Sequence, residues 1–509
     1  MRRCMSYRGK LVWLAFVCAC ARSGPPTFGP KDDFATVRAG AGGKGATSQN
    51  RVKPSASDAN SGSAGASGGA GGASAAAGGG GKSAAGGGSA AAGNGGSTAA
   101  GSGGSAAAKQ GIKASDDVFR DDMLRTYELE FSDADWNTLQ QTATQETFVP
   151  AVLSVNGEQV GKIGVRYKGA TGTLQGCFDN GVQTCRKLSM KLKFDEYDPE
   201  LRYRGLKKLN LHSSMNDASH LHERLSYKLF RDFNVLAPRS VHAKLNINGV
   251  YKGLYNLTEE VDGRFTDYHF EGADGQGTLY KEAWPATSQD PGYFMHAQHT
   301  NEGSAVTKIV AFAQDLANAA PDGLGTVVSH WMDPDATLRY LAVHSTVKHW
   351  DGPLTFYCTE EYGCNNHNYY IYEAVTQDRF AIVAWDMDNT FYENVLTDEA
   401  GVPSWYEPVT VCDFKATEGF LAPGCDPLVK GFVQLGLDRF HTTLGKFLEG
   451  PYQVDKLEAD VDRWAAQIDE AVKTDPNGSG YDDWRGNVEH LKTMIEKRRA
   501  RAEMIRDGM

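Results

Sequence analysis

Residues 380–391 read FAIVAWDMDNTF, a short apolar run of strand type that leads directly into two carboxylates. Asp386 and Asp388 are spaced i and i+2, and in a strand this spacing places both side chains on one face. We expect them at the end of the strand, where α/β and mixed folds place ligand sites. Two acids at one point repel each other unless a cation lies between them. Mg²⁺ takes one or two carboxylates and leaves its other positions to water or phosphate, so the stretch predicts a phosphoryl-transfer site.

The N-terminus predicts export from the cytoplasm. Residues 1–20 combine basic residues, the apolar run 11–17 and small residues, as in a secretory signal that is too short to span a bilayer. Val17-Cys18-Ala19-Cys20 resembles the bacterial lipobox, in which an apolar residue and a small residue precede a lipidated cysteine. An ordinary cleaved signal is the alternative. Contact with a membrane is expected only through a lipid at Cys20.

Residues 61–108 are almost entirely Gly, Ala and Ser. Such a stretch has no large side chains to bury, so it predicts a disordered tether. We therefore divide the chain into a signal (1–20), a tether (21–114) and a folded domain (115–509). The domain is long enough for a large core and for two lobes.

The cysteines agree with an oxidising compartment. Beyond the signal they form three pairs that are local in sequence: Cys177 with Cys185, Cys358 with Cys364, and Cys412 with Cys425. This clustering favours three short disulfide bridges. A zinc site is the competing interpretation, but the pairs contain neither a CxxC motif nor a histidine at ligand spacing.

The net charge of the chain is −11. An acidic chain is repelled by nucleic acid and by anionic membranes. We therefore expect no nucleic-acid partner.

The first half of the domain predicts antiparallel strands around one helix. Asn-Gly turns at 156–157 and 248–249 join alternating strands over 149–155 and 159–167, and over 241–247 and 250–257. Residues 188–194 alternate in the same way. Residues 217–233 carry Leu221, Leu225, Leu229 and Phe233 at four-residue steps, which predicts an amphipathic helix capped by Asn216 or Asp217.

The second half is mostly helical. We predict helices over 305–319, 336–348, 454–473 and 488–506, and a strand pair over 368–372 and 380–384. A strand-rich lobe followed by a helix-rich lobe is an α+β arrangement with a cleft between the lobes. The acids at 386 and 388 would line that cleft.

Several segments, in this order, resemble the CotH kinase family of atypical secreted protein kinases. They are VRYKG (165–169), RKLSMKLKF (186–194), 205–239, INGVYKGLY (247–255) with Glu259-Glu260, NYYIY (368–372) and AWDMD (384–388). The resemblance covers about residues 150–395. It implies a two-lobed, atypical protein-kinase-like fold, and transfer of a phosphoryl group from ATP to Ser or Thr of a protein with Mg²⁺ or Mn²⁺.

The resemblance also implies roles by position. Asp351 would be the catalytic acid and Asp386 the metal ligand. Asn368 would be a second metal or phosphate contact, and Asp388 could join Asp386 on the metal. The protein substrate is expected on the cell surface or envelope.

Phosphoryl transfer further requires cations on the phosphates. Arg166 and Lys168 share one strand face beside Gly169, which permits close approach of the backbone. Lys187 is an alternative phosphate contact. Glu223 could pair with one of these lysines, as the helix Glu does in ordinary kinases.

Other interpretations remain at this stage. The Gly-rich loop, HRD and DFG signatures of ordinary kinases are absent. A catalytically inactive surface module on the same fold is one alternative. The pattern DxDxT over 386–390 also fits a phosphatase whose first aspartate is a nucleophile. An EF-hand is excluded because Phe391 stands where its loop needs Gly.

Overall fold

The computed structural model describes residues 112–170, 172–179 and 181–509. The predicted signal and the predicted tether up to residue 111 lie outside these residues. The strands are β1 (Arg125–Glu130), β2 (Val149–Val155), β3 (Glu158–Tyr167), β4 (Phe178–Asp179), β5 (Val182–Gln183), β6 (Met190–Lys193), β7 (Lys208–His212), β8 (Ser240–Ile247), β9 (Val250–Glu259), β10 (Thr278–Lys281), β11 (Phe356–Thr359), β12 (Gly363–Asn365), β13 (Tyr369–Glu373), β14 (Phe380–Ala384) and β15 (Phe420–Leu421). The helices are α1 (Asp133–Gln141), α2 (His222–Asp232), α3 (Gly263–His269), α4 (Pro291–Ala297), α5 (Thr307–Asn318), α6 (Leu324–Trp331), α7 (Pro334–Val347), α8 (Leu396–Glu399), α9 (Pro427–Gln434), α10 (Leu437–Glu449), α11 (Val454–Lys473) and α12 (Tyr481–Arg506).

The first lobe is a closed barrel with the strand order β1-β2-β3-β6-β7-β9-β8. Both predicted hairpins, β2–β3 and β8–β9, are present with their Asn-Gly turns. Neighbouring strands are antiparallel except β1 and β8, whose parallel pairing closes the barrel. Closure leaves no free strand edge in this sheet. The alternating residues of the strands, including Leu129, Val165 and Leu192, fill the interior.

The two Asn-Gly turns also hold β1 in place. Asn156 and Asn248 adopt φ values of +50° and +49°, which suits the turn type favoured by hairpins of this length. The side-chain oxygen of Asn156 accepts a hydrogen bond from the N–H of Thr126 (2.8 Å), and that of Asn248 accepts one from Phe131 (2.7 Å). Each turn therefore holds one end of β1 by a hydrogen bond. The Asn-Gly pattern predicts a hairpin but not this second role.

Helix α2 links the barrel to the second lobe. Its apolar face is as predicted, since Leu221, Leu225 and Leu229 are fully buried in the helical core. The helix begins at His222, five residues later than predicted. Asp217 accepts a hydrogen bond from the N–H of His222 (2.8 Å), so it satisfies the first turn from a distance while residues 217–221 form a separate turn.

The second lobe is helix-rich, so the predicted α+β fold class with a strand-rich and a helix-rich lobe is confirmed. Helix α11 has the predicted bounds, whereas α12 starts at Tyr481, seven residues before the predicted start. The predicted strand pair is β13–β14, and β10 adds a third strand on the β13 side. This small sheet presents the chain after β14 to the barrel.

The three predicted disulfides are present: Cys177–Cys185, Cys358–Cys364 and Cys412–Cys425. Disulfides of this kind form and persist in oxidising compartments. None of the helices in the described part of the chain combines the length and apolar character needed to cross a membrane.

Candidate active site

The two acids of the DxD motif lie in a turn and not in a strand. Strand β14 ends at Ala384, and Asp386 has a left-handed backbone with φ +58°. The prediction that Asp386 and Asp388 share a strand face is therefore wrong. The chain turns immediately after Trp385, and the turn, instead of the pleat, brings the two carboxyl groups close enough for each to affect the other's charge.

Contacts from both lobes fix the backbone of Asp386. Its N–H donates a hydrogen bond to the phenol oxygen of Tyr227 on α2 (3.0 Å). Its carbonyl oxygen lies 3.1 Å from Nε2 of His349. Burial lowers the pKa of His349 to about 4, so the ring is neutral at pH 7 and carries its proton on Nε2 to donate this bond. A left-handed non-glycine residue is unfavourable by itself, and these bonds hold it there.

Both acids are held in a state that disfavours their charge. Burial raises the pKa of Asp386 above its ordinary value, with Glu223 and Asp351 adding to the rise and Lys168 opposing it. Burial and then the nearby Asp386 raise the pKa of Asp388 well above its ordinary value. Two half-buried carboxyl groups that repel each other gain most from a bound cation.

Asp351 lies in the loop after α7, where Lys348 ends the helix with φ +51°. Its carboxyl oxygens accept hydrogen bonds from Tyr357 Oη, from His367 Nε2 (2.9 Å), from Asn368 Nδ2 (3.1 Å) and from Asn389 Nδ2 (3.2 Å). Four donors on one carboxylate leave it little freedom to rotate.

The charge of Asp351 is set by His367. Burial alone would raise the pKa of Asp351, but His367 and then Tyr357 hold it below its ordinary value. Burial opposes the protonation of His367, yet Asp351 raises the pKa of that imidazole to about 9. At pH 7 the pair is therefore an aspartate and an imidazolium, with the His367 ring stacked on Tyr357 (4.8 Å between ring centroids).

Sequence reasoning missed His367. The residue follows the Cys358–Cys364 loop, in a segment interpreted only as an insertion. Its position next to Asn368 was the one available signal, because a histidine one residue before a predicted site residue enters the same site if the backbone turns. Asn368 turns in this way, with φ +66°.

Lys168 and Glu223 are joined through a histidine. Lys168 Nζ lies 2.8 Å from Nε2 of His212, and Nδ1 of His212 lies 2.9 Å from Glu223 Oε1. Burial and then the nearby Lys191 lower the pKa of Lys168 to about 8. Burial would raise the pKa of Glu223, but His212 and then the hydroxyl of Thr258 lower it. The predicted Lys–Glu pairing thus exists in an indirect form, and His212 was also missed.

The other two predicted cations have partners of their own. Arg166 forms an ion pair with Glu146. Lys187 is 9% exposed and lies 3.0 Å from Asp475, which follows α11 in the second lobe. Lys168 is therefore the predicted cation whose charge acts on Asp386 in the DxD turn.

The donor set fits a hard divalent cation. Asp386 and Asp388 offer carboxylate oxygens and Asn368 an amide oxygen, the ligand type that Mg²⁺ and Mn²⁺ accept. Within the described ranges, no group of three or more His, Cys, Asp or Glu is arranged to hold a metal ion. A two-carboxylate site is expected for Mg²⁺ that is completed by phosphate oxygens and water.

A cavity of about 830 Å³ borders the loop that carries Asp351. Its walls include His349 and Trp350, the two residues before Asp351, together with Trp405 and Arg498. None of the predicted site residues lines it. The cavity is thus a neighbour of the candidate site and not the site itself.

Comparison with known proteins gives one family match and one similar curated protein. The family model described as CotH kinase protein matches residues 165–501. Inner spore coat protein H of Bacillus subtilis (strain 168) is 23% identical over 287 residues, which is 53% of this chain and 70% of the relative. The family model's match over residues 165–501 includes every residue that the sequence predicts as a site residue.

Two solved structures are weakly similar. The HipA chain of Shewanella oneidensis MR-1, solved with HipB and operator DNA, has a TM-score of 0.28 and 13% identity, with 67% of this chain and 74% of that chain covered. The Helicobacter pylori proinflammatory kinase CtkA has a TM-score of 0.28 and 8% identity, with 70% and 90% covered. TM-scores this low do not establish a shared fold.

Proposed function

This chain belongs to the CotH kinase family, and on that premise we propose that it is an extracytoplasmic protein kinase. It would transfer the γ-phosphoryl group of ATP to Ser or Thr of a surface or envelope protein. Kinase activity in general follows from the family. The acceptor residue, the nucleotide and the location are parts of the proposal.

One observation carries the proposal. The DxD turn lies close to both Lys168 and Asp351: Lys168 Nζ, from the barrel, is 5.2 Å from the ring centre of Trp385, directly before Asp386, and Asn389, directly after Asp388, donates a hydrogen bond to Asp351 Oδ2 (3.2 Å). A metal-binding acid between a phosphate-binding cation and a hydroxyl-orienting acid is the arrangement that phosphoryl transfer requires.

Asp351 is proposed to receive and orient the acceptor hydroxyl. Its pKa lies below the ordinary value, so it is an ionised hydrogen-bond acceptor at neutral pH. Asn368 and Asn389 hold one of its oxygens, and Tyr357 and His367 hold the other. The four donors occupy the acceptor positions of the carboxylate, so the acceptor hydroxyl would replace one of them while the others keep the group oriented, which is how positioning lowers the barrier.

Asp386, Asp388 and Asn368 are proposed to hold Mg²⁺ or Mn²⁺. When bound, such an ion would supply positive charge against the negative charge that develops on the phosphoryl group. The pKa values of the two acids, raised first by burial and then by neighbouring acids, support this assignment because a bound cation favours the charged form of a carboxyl group. Lys168 is the proposed phosphate contact, and Glu223 supports it through His212.

An extracytoplasmic location is supported by the three disulfides and by the export signal that the sequence predicts. The lipobox-like residues before Cys20 support attachment through a lipid. The curated relative is named as a spore coat protein, which is compatible with an acceptor in a surface layer.

A phosphatase of the DxDxT class has less support. That class opens with the motif and continues with βα units. Here β14 is preceded by the whole barrel, and after it the described chain contains the two-residue strand β15 and helices. We retain the kinase as the proposed function.

The proposal is tested with the oxidised full-length chain, ATP carrying a labelled γ-phosphate, and Mg²⁺ or Mn²⁺. A generic Ser/Thr-rich protein such as casein serves as acceptor. We expect metal-dependent transfer that is lost in Asp351→Ala and in Asp386→Ala and kept in Asp322→Ala, where the replaced acid is exposed and far from the site in the chain. Equal labelling by the wild type and both site variants contradicts the proposal. Metal-dependent ATP binding without transfer would instead favour the inactive surface module.

A further inference from the structure

We propose that His212 is a positioning residue. Its hydrogen bonds to Glu223, on helix α2, and to the phosphate-binding Lys168 fix the position of the lysine. The three side chains form one hydrogen-bonded chain, and the lysine has its place because the imidazole stands between it and the carboxylate. This inference rests on the proposed function, since it concerns how the kinase site is kept in order.

The proton positions in this chain follow from the chemistry of its two ends. An ammonium group only donates hydrogen bonds, and a carboxylate only accepts them. Lys168 Nζ lies 2.8 Å from Nε2 of His212, and the two oxygens of Glu223 lie 2.9 and 3.0 Å from Nδ1. Nε2 must therefore accept and Nδ1 must donate. The neutral imidazole with its proton on Nδ1 is the form that satisfies both neighbours.

The Glu223 end of this series of hydrogen bonds is rigid. The carboxyl group of Glu223 is fully buried and accepts hydrogen bonds from Thr258 Oγ1 (2.6 Å) and Asn256 Nδ2 (3.4 Å) on strand β9. His212 itself is 7% exposed and ends strand β7. A buried carboxylate fixed by the barrel wall thus determines the orientation of the imidazole.

The near end faces the metal-binding turn. The His212 ring meets Trp385 edge-on at 5.7 Å, and Lys168 Nζ lies 5.2 Å from the centre of the same indole. Trp385 directly precedes Asp386, and the charge of Lys168 acts on that acid. Imidazole and indole therefore bound the lysine on two sides and leave its ammonium group next to the phosphate site.

Helix α2 connects this chain to the acid itself. Tyr227 follows Glu223 by four residues, so both lie on one face of the helix. Glu223 holds the lysine through His212, and Tyr227 accepts the hydrogen bond from the N–H of Asp386. The spacing between lysine and metal acid is thereby set by one turn of one helix.

The test compares His212→Phe, which keeps the ring shape and removes both hydrogen bonds, with His212→Gln, whose amide offers one acceptor and one donor. Hydrogen bonds to charged groups are worth enough that we expect a loss of roughly 10- to 100-fold in kcat/KM for ATP in His212→Phe. We expect substantial recovery in His212→Gln. His296→Phe, at an exposed histidine on α4, is the matched control and should behave as the wild type.

Two further readouts separate positioning from mere folding. Glu223→Gln should weaken ATP binding, measured by titration calorimetry with Mn²⁺ present. Both residues belong to the same hydrogen-bonded series that ends at Lys168. The double variant His212→Phe/Glu223→Gln should therefore lose less ATP-binding free energy than the sum of the two single losses. Long-range nitrogen NMR on histidine-labelled protein should assign to His212 a neutral ring protonated on Nδ1, as the signal that vanishes in His212→Gln.

The outcomes distinguish this inference from the proposed function. An active wild type with an equally active, folded His212→Phe overturns the inference alone. A His212 ring protonated on Nε2, or additive losses in the double variant, also overturns it. If the wild type transfers no phosphoryl group, the proposed function fails, and the NMR spectrum still decides whether the hydrogen-bonded chain exists.

Discussion

The phenol oxygen of Tyr227 accepts a hydrogen bond from the backbone N–H of Asp386 at 3.0 Å, across the boundary between helix α2 and the DxD turn. Tyr227 is fully buried, and Asp386 holds a left-handed backbone. The bond therefore does two things: it satisfies a backbone donor at a strained position, and it ties the acid to the helix that also carries Glu223.

Tyr227→Phe should lower the free energy of unfolding by about 1–2 kcal/mol, because it leaves that N–H without its partner. The rate of phosphoryl transfer should also fall, by more than the loss of stability accounts for, because the DxD turn loses a hydrogen bond that fixes its position. Tyr340→Phe is the matched control: Tyr340 is also buried, and its hydroxyl has no hydrogen-bond partner among the residues that the structure describes, so its loss should be neutral or stabilising. Urea denaturation measures both. Equal destabilisation by the two variants would contradict the role of Tyr227.

Asp388→Asn should stabilise the metal-free protein by a margin that grows with pH. The pKa of Asp388 is raised in the folded state, so the folded chain binds this proton more tightly than the unfolded chain. Its contribution to stability is therefore lost as pH rises from about 4 through the raised pKa. Denaturation at pH 5 and pH 8 should show a larger difference from wild type at pH 8. Asp322→Asn, at an exposed acid, should show no such growth.

ATP affinity should decline above pH 8. The pKa of Lys168 is lowered to about 8, so its ammonium charge is present below that pH and disappears above it. Lys168→Met should bind ATP more weakly at pH 7 and should lose most of the decline between pH 7.5 and 9. Lys446→Met removes an exposed lysine and should keep it. A wild-type affinity that is flat across this range, measured by titration calorimetry, would sink the assignment of Lys168.

Lys187→Met should destabilise the fold without weakening ATP binding by the folded protein. Lys187 and Asp475 are 7% and 1% exposed in their side chains, and loss of one member leaves the other charge buried. The expected cost is about 3–5 kcal/mol. Lys187→Met/Asp475→Leu should recover part of it. A fully stable Lys187→Met that binds ATP poorly would instead return Lys187 to the phosphate site.

His367→Gln should shift the acid limb of the pH–rate profile upward. His367 is protonated below its pKa of about 9, and its charge helps hold the pKa of Asp351 below the ordinary value. Glutamine keeps a hydrogen-bond donor and removes the charge, so Asp351 should take up a proton at higher pH. Rates measured from pH 4.5 to 8 test this, with His296→Gln as the control. An unmoved acid limb would mean that Asp351 is not the group that titrates.

Much of the fold was predictable because its signals are local. The Asn-Gly turns specified two hairpins, and the four-residue leucine spacing specified the buried face of α2. The start of α2 was not predictable in this way, since Asp217 caps it from five residues away. The shared strand face of Asp386 and Asp388 was also mispredicted, because the left-handed backbone of Asp386 depends on Tyr227, which is distant in sequence.

The sequence by itself determined the two hairpins, the β13–β14 pair, the apolar face of α2, the three cysteine pairs and the presence of two acids at 386 and 388. Only the tertiary structure decided which charges meet. Arg166, Lys168 and Lys187 are equivalent phosphate-contact candidates in the sequence. In the structure Arg166 pairs with Glu146 and Lys187 pairs with Asp475. Lys168 is instead linked to Glu223 through hydrogen bonds to His212. The reason is physical: a side chain's charge state and orientation depend on neighbours within a few ångströms, and those neighbours come from segments far apart in the chain.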